Sequence, residues 1–83
     1  MEHADEAALD AIEPLLIRLR RLDGIREKKR GIFYRKSQAF LHFHRDPSGI
    51  FADVRGDAGW LRYRVSTAQE RRHFLQLMNT LLH

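Results

Sequence analysis

The hydrophobic period of this chain changes at Gly31, and that change limits the folds that the chain can adopt. Before Gly31, apolar residues recur at the three- and four-residue spacing of an amphipathic helix. After it, short runs rich in aromatic and β-branched residues follow a period of two, which predicts strands at 32–36, 39–45, 50–55 and 60–65. Connections of only a few residues separate these runs, so neighbouring strands must be antiparallel.

One helix is predicted before the strands in the sequence and another after them. Asp10 and Glu13 have the spacing of a capping box, which places Pro14 at the edge of the first turn, and Gly24 is the expected left-handed cap. The acidic segment 1–13 is interpreted as a kinked or loose helical extension. The C-terminal helix is predicted to begin at Ser66 or Thr67, where Thr67 with Glu70 forms a capping box and Ser66 with Gln69 is an alternative frame. The apolar stripes consist of Ile12, Leu15, Leu16, Leu19 and Leu22 in the first helix and of Phe74, Leu77, Met78 and Leu81 in the last.

These elements predict one α+β domain over residues 1–83. Its order is an N-terminal helix, a four-stranded antiparallel β-meander and a C-terminal helix, with the helices packed on one face of the sheet. The basic run 26–30 is expected to be a connection. Turns at 46–49 and 56–59, and a weaker one at 37–38 or 36–39, then set which residues face each other. The predicted facing pairs are Arg45 with Ile50, Arg55 with Trp60, and Arg35 with Phe40.

This register sorts the strand residues into two faces. The apolar face, which the helices should cover, comprises Ile32, Tyr34, Leu41, Phe43, Ile50, Ala52, Val54, Leu61, Tyr63 and Val65. The second face is predicted to be open to solvent or to a partner. Its rows are Arg35, Phe40, Arg55 and Trp60; Phe33, His42, Asp53 and Arg62; and Gly31, His44, Phe51 and Arg64.

The second face has the composition of a site for anionic, planar ligands. Guanidinium groups pair with phosphate oxygens, and aromatic rings stack on bases. The predicted ligand-binding residues are Arg35, Phe40, His42, His44, Phe51, Asp53, Arg55, Trp60, Arg62 and Arg64. We therefore expect a non-enzymatic binding module for an anionic partner, with nucleic acid as one candidate. The alternative is a structural domain that forms a homodimer through the same face.

A metal site, or a metal-dependent enzyme that uses the same residues, is a further alternative. His42 and His44 share a face and Asp53 lies opposite His42, which makes a set of two histidines and one carboxylate geometrically feasible. Arg62 and Arg64 flank this set and would repel a cation. The preferred interpretation is that Asp53 is hydrogen-bonded between His42 and Arg62, which would favour the charged form of His42.

Composition excludes several other functions. The 83 residues include no cysteine, so neither disulfides nor thiolate chemistry is available, and a reducing compartment such as a bacterial cytoplasm is expected. No run is apolar enough to predict a membrane span or a signal peptide. The five glycines are spread over separate turns, and the serines lie in turns and caps, so no phosphate loop, catalytic residue or cofactor is predicted. Segment 1–13 holds five of the 11 acidic residues and none of the 15 lysines and arginines, so the remainder is strongly basic.

The strand region resembles a known group of sequences. Residues 33–37 read F-Y-R-K-S, residues 40–44 read F-L-H-F-H, and residues 51–55 read F-A-D-V-R, with D-P-x-G at 46–49. This pattern resembles small uncharacterised bacterial proteins, with a match from about Leu22 to the final helix, and it implies a fold but no catalytic residues. In layout alone, the helix–meander–helix order is similar to YjbR-like proteins, for which DNA binding has been proposed.

Overall fold

The computed structural model describes residues 2–83 and confirms an α+β fold with an antiparallel sheet between N- and C-terminal helices. Helices occupy the two ends of the chain and strands its middle, apart from one short N-terminal strand. The elements are β1 (Glu2–His3), α1 (Glu6–Ala11), α2 (Glu13–Leu19), β2 (Arg26–Lys29), β3 (Ile32–Arg35), β4 (Gln38–Asp46), β5 (Gly49–Gly56), β6 (Gly59–Arg64) and α3 (Ala68–Leu82).

The sheet has two strands that the sequence did not predict. Its main path is β2-β3-β4-β5-β6, and β1 pairs with the end of β4. The basic run that forms β2 has no apolar alternation, which is why it was predicted to be a connection. It is held at the sheet edge by Glu27, whose carboxylate accepts hydrogen bonds from the Arg20 side chain and from the backbone N–H of Gly31 (2.8 Å).

The core lies between the helices and one face of the sheet. Inward-facing residues of β4 and β5, among them Leu41, Ala52 and Val54, form one buried cluster with residues of all three helices. Each large apolar side chain in such a cluster contributes about 1.5–3 kcal/mol of gross stabilisation. The members of the cluster outside the sheet include Leu9, Leu15, Leu16, Leu19, Phe74 and Met78 of the helices and Ile12 between α1 and α2.

The N-terminal helix is divided at Ile12, and its capping differs from the prediction. Asp5 caps α1 by accepting a hydrogen bond from the backbone N–H of Ala8 at 2.9 Å. The predicted capping box of Asp10 and Glu13 is wrong, because Asp10 lies inside α1 and α2 begins without a side-chain cap. Within the acidic segment 1–13, α1 corresponds to the expected helical extension, whereas residues 2–3 form the strand β1 instead.

The C-terminal helix has the predicted start but a rotated apolar face. The capping box of Thr67 and Glu70 is present. Phe74 and Met78 are buried as predicted, whereas Leu77 and Leu81 are exposed, because the helix turns Leu75 and Leu82 towards the core instead. Within residues 2–83, none of the helices combines the length and the apolar character that a membrane crossing requires.

The predicted register is confirmed on one side of β4 and wrong on the other. Arg45 faces Ile50 and Arg55 faces Trp60, as expected. Between β3 and β4, however, the turn consists of Lys36 and Ser37 alone, and Arg35 faces Gln38 rather than Phe40.

A β-bulge between β3 and β4 changes the faces of β3. Past the bulge, Phe33 faces Leu41, although the predicted row paired it with His42. Phe33 is therefore in the core with no exposed surface, and Ile32 and Tyr34 take the other face of β3, where they are half-buried. Phe40, also predicted on the open face, is only 4% exposed and belongs to the core cluster.

The β3–β4 turn provides a test of the observed register. Lys36 and Ser37 both have positive φ, 52° and 69°, a conformation that costs a non-glycine residue about 1 kcal/mol. We expect Ser37→Gly to raise the free energy of unfolding by about 0.5–1 kcal/mol, measured by urea denaturation. Ser48→Gly is the matched control: Ser48 has no positive φ and bonds Asp46, so this change should destabilise the protein. A destabilised Ser37→Gly variant would contradict the turn geometry.

The capping box of α3 should make stability depend on pH. Hydrogen bonds from the backbone of Thr67, and then from Arg64, lower the pKa of Glu70 below its ordinary value of 4.5. A lowered carboxylate pKa contributes stability above the ordinary value and loses it as the pH falls through the folded-state pKa. Glu70→Gln should therefore lower the thermal unfolding midpoint at pH 7, and its difference from wild type should shrink towards pH 3. A difference that is the same at both pH values would refute this role.

Candidate functional site

The continuous register of β4, β5 and β6 places polar residues in adjacent rows of the sheet. His42 faces Asp53, and Asp53 faces Arg62. In the next row, His44 faces Phe51. These rows are the ones that the sequence predicted, because both hairpins keep the expected pairing.

Asp53 is the buried charged residue at the centre of these rows. It is 5% exposed and accepts two hydrogen bonds from Arg62, Nε to Oδ1 at 2.7 Å and Nη2 to Oδ2 at 2.9 Å. These bonds hold the pKa of the Asp53 carboxyl below its ordinary value. The second partner is His44, whose Nε2 lies 2.9 Å from Oδ2, and not His42 as predicted. The contact is diagonal across the two strands, which residues two positions apart on one face can reach.

His42 is in an environment that favours its neutral form. Burial, followed by the charge of His44, lowers the pKa of His42, so the predicted bias towards the charged form is wrong. Its Nδ1 atom is buried and has no hydrogen-bond partner among the described residues. Its ring makes edge contacts with the rings of Trp60 and His44, at centroid distances of 4.6 and 4.7 Å.

His3 completes a cluster of histidines that the sequence did not predict. Strand β1 pairs His3 with His44, and the N–H of Ala4 donates to the carbonyl of Phe43 at 3.1 Å. The His3 ring lies 5.0 Å from the ring of His44 and 5.6 Å from that of His42. We call His3, His42 and His44 the histidine cluster; one potential ligand atom from each lies within 4.8 Å of the other two. Asp53, named in the predicted metal set, is not part of it.

The aromatic residues form a much smaller open surface than predicted. Phe33 and Phe40 are buried and Phe51 is half-buried, whereas Trp60 is 43% exposed. The Arg55 guanidinium lies over the Trp60 ring at 4.6 Å, a cation–π contact between two residues that were predicted to face each other.

Two of the predicted ligand-binding arginines are already paired. Arg62 donates its hydrogen bonds to Asp53. Arg64 donates to the carboxylate of Glu70 and to the carbonyl of Ser48. Their charges are thus partly compensated within the chain. Arg35 lies over the Phe40 ring at 5.4 Å, and Arg55 Nε donates to the carbonyl of Ala39.

Two polar grooves join at the β3–β4 turn and bring unpaired cations together. One, of about 590 Å³, is lined by Arg35, Lys36, Phe40 and Arg55 among others, and the other, of about 270 Å³, shares Lys36. We call the cations of both grooves the cationic track: Arg26, Lys28, Arg35, Lys36 and Arg55. Within the described part of the chain, none of these side chains forms an ion pair. Asp57 also lines the larger groove.

Comparisons of this chain with protein-family models, curated proteins and solved structures found no match. The resemblance to the F-Y-R-K-S group and the likeness in layout to YjbR-like proteins therefore stay predictions. The contacts described above are the basis for inferring a function.

Removing the central carboxylate should destabilise the protein. Asp53→Asn retains the shape but weakens the charge-assisted bonds from Arg62 and His44, at a cost of about 1–3 kcal/mol in the free energy of unfolding. Urea denaturation of the single variants and of the double variant with Arg62→Ala measures the coupling between the two residues. If the effects of Asp53→Asn and Arg62→Ala are simply additive, the paired geometry is not important for stability.

Proposed function

We propose that this protein is a non-enzymatic binding module whose cationic track engages an anionic partner, with single-stranded nucleic acid as the candidate. The observation that carries this proposal is the convergence of five cations, without ion-pair partners in residues 2–83, on two grooves that share Lys36. Neighbouring like charges repel each other. A bound polyanion removes that repulsion and releases its own counterions.

The ion pairs of the N-terminal acidic segment lie outside the cationic track. Carboxylates of the N-terminal segment neutralise basic residues elsewhere: Glu6, Asp10 and Glu13 contact Arg30, at 2.7–2.9 Å. Arg45 is paired with Asp5 at 2.8 Å. The N-terminal carboxylates therefore compensate Arg30 and Arg45, and they form no ion pair with the cationic track within residues 2–83.

Aromatic rings beside the cations favour nucleic acid over a simple inorganic anion. Lys28 lies 4.5 Å from the centroid of the Tyr34 ring, and Arg55 lies beside the exposed Trp60. Stacking on an aromatic side chain contributes about 1–3 kcal/mol per base, and an adjacent guanidinium reaches the phosphate. The bases of single-stranded nucleic acid are free to stack in this way.

A homodimer is the second candidate, and strand β6 favours it. In residues 2–83, β6 pairs only with β5, so its outer edge presents unpaired backbone groups, and its residues Trp60 and Leu61 are exposed. Such an edge can pair with a second copy. Light scattering distinguishes this candidate, since a dimer through β6 has twice the chain mass and Trp60→Ala weakens it.

Fluorescence anisotropy with a labelled oligothymidine at several salt concentrations tests nucleic-acid binding. We expect Lys36→Asn to weaken binding and to reduce the log–log salt slope by about 0.7, the loss of one phosphate contact on a single strand. Asparagine accommodates the positive φ of position 36, so the turn is retained. Arg72→Gln, which removes one exposed charge from α3, is the matched control and should leave the slope unchanged.

Two outcomes would reject the proposal. One is binding that does not weaken between low and moderate salt, since neutralisation of phosphates requires salt dependence. The other is an equal loss in the Lys36→Asn and Arg72→Gln variants, which would mean that only net charge matters.

A further inference from the structure

None of the histidines of the cluster lines the two grooves of the cationic track, yet the geometry of the cluster is specific. His42 and His44 are fixed by the central strand β4, and β1 brings His3 to them from the far end of the sequence. Three imidazole rings then converge, with centroid distances from 4.7 to 5.6 Å. Imidazole is the commonest metal-ligating side chain in proteins, so three converging rings can share one cation.

We propose that His3, His42 and His44 form a binding site for one divalent transition-metal ion, Zn²⁺ in the first instance. Imidazole nitrogens suit zinc, and three protein ligands with a fourth position open to solvent are a common zinc arrangement. Tetrahedral Zn–N bonds of about 2.0–2.1 Å place the nitrogens about 3.3 Å apart. The ligand atoms here lie within 4.8 Å of one another, so they must approach each other by no more than about 1.5 Å to hold one ion.

The Nδ1 atom of His42 is an independent indication of a ligand. It is buried and has no hydrogen-bond partner among the described residues, and an unsatisfied buried polar atom costs about 1–3 kcal/mol. Coordination of a metal ion removes this cost. The atom therefore points to a bound group at this position of the sheet.

The surroundings of the cluster match those of metal-binding histidines. Such a histidine usually bonds a carboxylate through its second ring nitrogen, which fixes the ring and increases its basicity. Asp53 has this position, since its Oδ2 lies 2.9 Å from Nε2 of His44. Arg62, which the sequence suggested would repel a cation, is paired with Asp53 through two bonds, so its charge is compensated.

Zinc titration of tag-free, chelator-treated protein tests the site. We expect calorimetry to show one zinc ion per chain, and Co²⁺ to give the visible absorption of a four-coordinate complex. Trp60, whose ring contacts His42, should change its fluorescence when zinc binds. Asp53→Asn should weaken zinc binding by about 10–100-fold, the usual cost of changing a residue that hydrogen-bonds a metal ligand. His3→Gln removes a ligand itself and should therefore weaken zinc binding by more than about 100-fold.

The controls separate this site from adventitious binding and from unfolding. His73→Gln removes an exposed histidine from α3 and should leave the affinity unchanged. His42→Gln and His44→Gln should weaken zinc binding as His3→Gln does. Because these two residues lie in the central strand β4, their substitution also changes packing in the sheet, so the exposed His3 is the decisive position. Failure of wild type to bind zinc at micromolar concentrations would overturn the proposal, as would equal affinities of wild type and the His3→Gln variant.

Discussion

The pairing of β4, β5 and β6 is the constraint on which the rest of the structure depends. Because side chains alternate along a strand, a slip of one residue would move His42 and Asp53 into the core and expose its apolar residues. Gly49 helps to fix the pairing: its φ of +145° favours glycine, and a Cβ at this position would collide with Ser66 Oγ. The same Ser66 hydroxyl accepts a hydrogen bond from the N–H of Ile50 at 2.8 Å, which joins the β4–β5 turn to the chain entering α3.

The parts of the fold that local sequence determines were predictable. Strands β3 to β6 were predicted by turn residues such as Pro47 and Gly56 and by the alternating side chains between the turns. The rows through Asp53 followed from counting residues along the strands from each turn. The face of Phe33 was not predictable in this way. A bulge changes which face of the sheet the residues of β3 occupy, and the turn residues carry no signal of it. The bulge is favoured by the burial of a large ring among the helices, a tertiary effect that overrides the local pattern.

The candidate sites show the same division between local and long-range information. His42 and His44 were predicted to share a face because they lie two positions apart on one strand. His3 joins them through pairing with the far end of β4, and a two-residue strand has no period that a sequence pattern could reveal. Strand β2 was missed for a related reason: Glu27 stabilises it through contacts with Arg20 and Gly31, which only the folded chain brings together.

The two proposed sites meet at Trp60, the single tryptophan of the chain. Its ring lies 4.6 Å from the His42 ring on one side and 4.6 Å from the Arg55 guanidinium on the other. A divalent ion at the histidine cluster would add positive charge within about one Debye length, roughly 10 Å at 0.1 M salt, of the end of the cationic track. An anionic partner would then bind more tightly, and by linkage the same partner would increase the affinity for the ion by an equal factor. If both sites bind as proposed, their common contact with Trp60 would make the metal ion and the polyanion cooperative rather than competing ligands.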